Sequence, residues 1–296
     1  MVTAENFTLD RPAIPQTLPR DPAELSEARK VTVAAFIAAE HRRERRQLLA
    51  NRMMAAGFGV FVILIWAIAT EGGFVHALII PTPMDTFWAT GRMLAADYFW
   101  PNAWVTLQEI FWGFLIGATA GVILGIGVAM FASVRATLYP YLVALQAPPK
   151  IVLAPIFITW FGFDMASKIA ISAVMCFFPI FLNTLTGLTT VDPNAVKLMR
   201  SLTASRWQTF RFLLLPNALP IMMAGVKLCW TLAVLGVIVG EFVGASAGIG
   251  YLIYALNFQL DIAGVFSLII LLSLFTLIIY NLIEALEARI IFWNQL

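Results

Sequence analysis

From residue 54 onward the chain alternates long apolar runs with short polar ones. A helix crosses the hydrocarbon core with about 20 apolar residues. Runs near 54–70, 105–132, 138–161, 168–188, 218–239 and 264–291 approach or exceed that length. They predict six membrane-spanning helices and an all-α polytopic membrane protein. The third run is broken by Pro148, Pro149 and Pro155, which remove backbone donors from the helical ladder. Broken backbone at membrane depth is tolerated only against protein or a watery cavity. In the second run, Gly113, Gly117, Gly121 and Gly125 recur every fourth residue. They make a smooth face for close packing on another span or another copy of the chain.

Residues 1–52 follow a different pattern. They hold nine Lys/Arg and seven Asp/Glu, out of 19 and 17 in the whole chain. The Pro-rich start has no apolar period and predicts disorder. Asp21-Pro22-Ala23-Glu24 then reads as a helix start. Leu25, Val33, Phe36 and Ile37 alternate with charges up to the basic run at 41–46. This is an amphipathic basic helix that rests on the inner leaflet or a partner, or a solvated helix whose arginines fix topology. The expected organisation is a cytoplasmic tail over 1–52 and a six-span domain over 53–296. Lys and Arg cluster before the first span, at Arg135, between the fourth and fifth spans, and at Arg289. With six spans these fall on one side, which predicts cytoplasmic termini and a cytoplasmic loop at about 189–216.

Composition narrows the function. The chain is 60% apolar and 12% charged, against about 25% charged in soluble domains. A soluble enzyme, a disulfide-stapled secreted domain and a nucleic-acid binder are excluded. Cys176 and Cys229 lie in apolar runs and read as buried thiols. There is no phosphate-binding G-x-x-x-x-G-K-[ST] loop and no H-E-x-x-H motif. No catalytic residue, metal site or cofactor is therefore expected in this chain. The spans also lack the run of acids that a proton relay would use. The chain either conducts alone, as a secondary transporter or channel for a small anion, or takes energy from a partner.

Polar residues at membrane depth are costly and mark candidate sites. Lys150 lies about 18 Å from the inner edge at 1.5 Å per residue. Lys227 enters the fifth span from the same side. With Gln146 and Glu241 they are the candidate lining of a translocation path, the lysines suiting an anion. The competing reading pairs the lysines with Glu109, Glu241 or a helix-end carbonyl, or lets them snorkel to the surface.

The 189–216 loop carries further signals. Asp192 and Pro193 start a helix, with Leu198 and Leu202 on one face and a second short turn holding Trp207 and Phe210. Such a helix suits docking into a partner's groove, or is a surface helix that shields the loop. Ala204-Ser205-Arg206-Trp207-Gln208 and Leu213-Leu214-Leu215-Pro216 have the spacing of a known signature. So do Gly240–Ile253, Ala147–Pro155 and Trp160-Phe161-Gly162. On these stretches, over about residues 85–295, the chain resembles the permease subunits of bacterial ABC importers of the nitrate/sulfonate/bicarbonate/taurine branch. It departs at Lys197, Leu198 and Met199, where Glu-Ala-Ala is usual, and at Thr203, where the family has Gly.

The resemblance implies the type I importer (MetI-like) permease fold in a bacterial inner membrane. It implies a small anion or organic solute (nitrate-, sulfonate-, bicarbonate- or taurine-like, or aromatic or heterocyclic), a homodimer of permeases, two ATP-binding cassette subunits that hold ATP and Mg, and a periplasmic or lipid-anchored substrate-binding protein. It makes Lys197, Arg200, Thr203, Ala204, Ser205, Arg206, Trp207 and Pro216 the contacts to the ATPase.

Overall fold

A computed structural model describes residues 46–47, 49–51 and 53–294. The expected disordered start and most of the basic amphipathic helix lie outside the described residues. The chain divides into two units, 1–69 and 70–296. Most of α1 (Leu49–Glu71), a single apolar helix, belongs to the first.

The second unit begins with α2 (Pro83–Ala95), whose N-cap Thr82 accepts from the Asp85 amide at 3.0 Å. The long α3 (Phe99–Met130) follows, then the shorter α4 (Ala132–Ala144). A 3-10 turn at Lys150–Leu153 leads into α5 (Ala154–Phe161) and the 25-residue α6 (Met165–Thr189). Next come α7 (Pro193–Ser201) and α8 (Arg206–Thr209). A π-helical turn at Phe210–Leu214 runs without a break into α9 (Leu215–Gly244). Finally α10 (Ile249–Phe258) and α11 (Ile262–Ile290) complete the unit.

Among the described residues five helices, not six, are long and apolar enough to cross a membrane: Leu49–Glu71, Phe99–Met130, Met165–Thr189, Arg206–Gly244 and Ile262–Ile290. The third expected span is no single helix. Pro148 and Pro149 cannot donate to a ladder, so α4 stops at Ala144 and helix resumes only at the Lys150 turn. The return crossing still follows from packing. The α3 glycines climb α6 in step: Gly117 lies on Cys176, Gly121 on Phe177 and Gly125 on Thr184. Rising together, α3 and α6 are parallel, and residues 131–164 must carry the chain back between them.

α6 is the centre of the bundle, with α3 on one side and α9 on the other. α9 runs antiparallel to it, because Gly187 meets Ala218, Gly225 meets Asn183 and Gly240 meets Lys168. Of the two partners the sequence left open for the glycine face, another span is the one observed. Ile110, Cys176, Ile180, Cys229 and Val237 fill this core, and both cysteines are free and buried.

The packing separates two glycines of the same helix. A Cβ on Gly117 would lie 2.6 Å from Cys176 Cβ, while Gly127 has nothing within 4 Å. Gly117→Ala should lower stability by about 1–3 kcal/mol through overpacking. Gly127→Ala should leave it unchanged or raise it by up to about 1 kcal/mol. Thermal unfolding in detergent checks both.

Candidate functional site

The broken segment places two of the candidate path residues together. Gln146, Pro148, Pro149 and Lys150 face Met175 of α6 and Leu232 of α9 around a cleft of about 280 Å³. Gln146 and Lys150 are half-buried. The Lys150 ammonium lies 5.3 Å from the centroid of the Phe178 ring, close enough for a cation–π attraction. Residues 147–149 between them are exposed.

Lys227 and Glu241 do not join this cleft. Lys227 Nζ pairs with Glu287 Oε2 of α11 at 2.6 Å, the side chains 19% and 21% exposed. That acid was not among the partners weighed from sequence. Glu241 is buried in the last turn of α9, at the end of the bundle opposite the 189–216 loop. There it helps hold the start of α10. The Thr106 hydroxyl of α3 donates to Glu241 Oε1 at 2.7 Å and accepts from the Ile249 amide at 2.7 Å. The Gly250 amide donates to Glu241 Oε2, and the Gly248 amide to Asn102 Oδ1 at 2.7 Å. Three amides that would be orphaned at a helix start are thus satisfied by side chains from α3 and α9. Gly248 takes φ +117°, a conformation that favours glycine, and a Cβ there would strike the Glu241 carboxyl.

Glu109 of α3 is buried beside Glu241 and interacts with it. Both acids interact with Lys168, which the sequence placed at a span edge without a role. The side chain of Lys168 is buried, and its ammonium donates to the carbonyls of Phe163 and Asp164. Two intramembrane acids call for a nearby cation. That signal was legible, but the choice among lysines needed the antiparallel α6–α9 pairing, which sets the start of α6 beside the end of α9.

The 189–216 loop forms the helices expected of it. Asp192 accepts from the Asn194 amide at 2.8 Å to start α7. Ser205 and Gln208 cap α8 reciprocally, at 3.2 and 2.7 Å. Trp207 stacks on Phe210 with centroids 5.5 Å apart, and Phe210 is buried with Leu188, Ala218 and Met222. The turn is thereby fixed to the ends of α6 and α9. Leu198, Leu202 and Trp207 are exposed, as are Lys197, Arg200, Ser205 and Arg206, while Ala204 and Pro216 are half-buried. Thr203 stands at φ +55°, a left-handed conformation costly for a β-branched residue. It occupies the position where the resemblance has Gly.

Comparison with known proteins agrees with this geometry. Residues 113–292 match the family described as binding-protein-dependent transport system inner membrane component, and the chain belongs to that family of ABC transport permeases. It is 32% identical over 238 residues to the formylaminopyrimidine transport permease protein ThiX of Halalkalibacterium halodurans, covering 80% of this chain and 94% of the relative. To the taurine transport system permease protein TauC of Escherichia coli it is 23% identical, covering 82% and 91%. An inward-facing structure of the MetNI methionine ABC transporter shares the fold, at TM-score 0.54 and 20% identity over 70% of this chain and 96% of that one.

Two outcomes are expected. Thr106→Val strands the Ile249 amide and one Glu241 oxygen, and should cost roughly 2–4 kcal/mol, while Thr106→Ser should stay near the parent. Thr203→Gly should stabilise by roughly 1 kcal/mol by relieving the left-handed threonine. Unfolding in detergent measures each.

Proposed function

We propose that this chain is the membrane-spanning subunit of an ATP-driven importer of a small solute, coupled to cytoplasmic ATPases through the 189–216 loop. The observation that carries the reading is an exposed apolar ridge, Leu198, Leu202 and Trp207, flanked by Lys197, Arg200 and Arg206. A rigid amphipathic ridge joined to two long helices fits a partner's groove and transmits its motion. Thr203, Ala204, Ser205 and Pro216 shape and anchor it. ATP and Mg belong to the partner, and this chain positions and moves the solute.

A second permease copy, two ATP-binding cassette subunits and a substrate-binding protein complete the assembly. Six crossings leave both termini on one side, and the basic residues before the first span and in the 189–216 loop favour the cytoplasm of a bacterium for that side, the membrane being its inner one. The names of the relatives span a pyrimidine and taurine, which supports a small organic or anionic solute. A channel or secondary transporter working alone is the weaker reading, since the family similarity favours an importer subunit.

Coexpression with its ATPase and binding protein tests the proposal. The complex should copurify, and solute-loaded binding protein should raise its ATPase rate. Trp207→Ala and Arg206→Ala should abolish that stimulation while the chain still folds. Solute uptake by the purified chain alone, or undiminished stimulation in both variants, overturns it.

A further inference from the structure

Four basic side chains at or near the bundle interior meet different fates. Lys168 is enclosed by carbonyls beside two acids, and Lys227 is paired with Glu287. Among the described residues no carboxylate forms an ion pair with Lys150 or Arg135. The clefts that these two line both abut α6. Lys150 and Gln146 line the cleft against Phe178 and Met175 of α6. Arg135 and Tyr139 of α4 line a second cleft of about 470 Å³ with Thr186 and Thr189 of α6.

The α6 residues of both clefts lie on one helical face. Phe178, Leu182, Thr186 and Thr189 follow at steps of four, four and three, spanning about 16 Å at 1.5 Å per residue. Leu142 of α4 and Leu182 of α6 pack on the buried cluster of Val128, Phe181 and Leu185. Residues 147–149, which line the Lys150 cleft, are exposed.

We infer that Arg135, Tyr139, Thr186 and Thr189 form an inner anion-binding station, further along the same face of α6 than the Lys150 cleft. The ligand is a small anion such as a carboxylate or sulfonate. The guanidinium supplies charge and a planar donor fork, and the hydroxyls complete the shell. An uncompensated cation at each cleft raises the local anion concentration without holding the anion at one place. The inference rests on the permease reading for the direction of travel, though the binding station itself does not require an ATPase.

Thiol reactivity in membrane vesicles tests it on the full chain. Thr186→Cys and Ala147→Cys report the two clefts. The native cysteines are buried, and the parent sets the background. Each reporter is treated with a sulfonate-bearing or a trimethylammonium-bearing methanethiosulfonate, with rates normalised to free cysteine. The anionic reagent should be favoured by about tenfold at both positions. Arg135→Gln should remove the preference at Thr186→Cys and spare Ala147→Cys, Lys150→Gln should do the reverse, and Arg135→Lys and Lys150→Arg should restore it. Equal normalised rates, unreactive reporters, or a preference that survives the glutamine variants overturns the inference. No nucleotide or partner is used, so a failed ATPase copurification would strike only the permease reading.

Discussion

Hydrocarbon offers no hydrogen bonds, so every helix interruption at depth must be answered by protein or by water. This chain gives two different answers. Where α9 ends and α10 begins, Asn102, Thr106 and Glu241 take up the free amides, and the interruption closes into the bundle. Where α4 ends, residues 147–149 stay exposed beside a half-buried lysine, and the interruption opens outward. The first keeps the bundle together at the end opposite the loop. The second leaves a polar opening on its flank.

The same division runs through the charges. Burying a charge is supportable when partners are fixed around it and destabilising when one is removed. Lys168 with Glu109 and Glu241 is the enclosed kind, and Lys227 with Glu287 ties α9 to α11 nearer the loop. Such groups hold helices in register where apolar packing alone has little direction in lipid. Lys150, set over an aromatic ring at the edge of a cleft, is held far more loosely.

Much of the fold was legible. Hydropathy located the long helices, the glycine period marked the close face of α3, and Asp192-Pro193 marked the start of α7. Helix ends were less so, since α3 begins six residues before the expected span and the fifth span is continuous from Arg206. Apolar counting registers the hydrocarbon core, while helices extend past it. The Pro148–Pro149 break was visible, but its consequence, a return crossing without one long helix, needed the parallel pairing of α3 and α6. The site was less readable still. Which lysine meets which acid depends on helix order around α6, and neither Lys168 with Glu241 nor Lys227 with Glu287 follows from spacing along the chain.

The unbroken helix from Arg206 to Gly244 has 39 residues, about 58 Å at 1.5 Å per residue, nearly twice the hydrocarbon thickness. One end carries Trp207 and the other the carboxylate that holds α10. A rod of that length turns a pivot of about 5° into a sweep of about 5 Å at its far tip. Besides the internal Pro220 it carries the π turn at Phe210–Leu214, a place where a helix can bend or shift register. Stiffness on one side of that turn and compliance within it would let a small torque on one face of the membrane be felt on the other, with no intermediate residue having to change its neighbours.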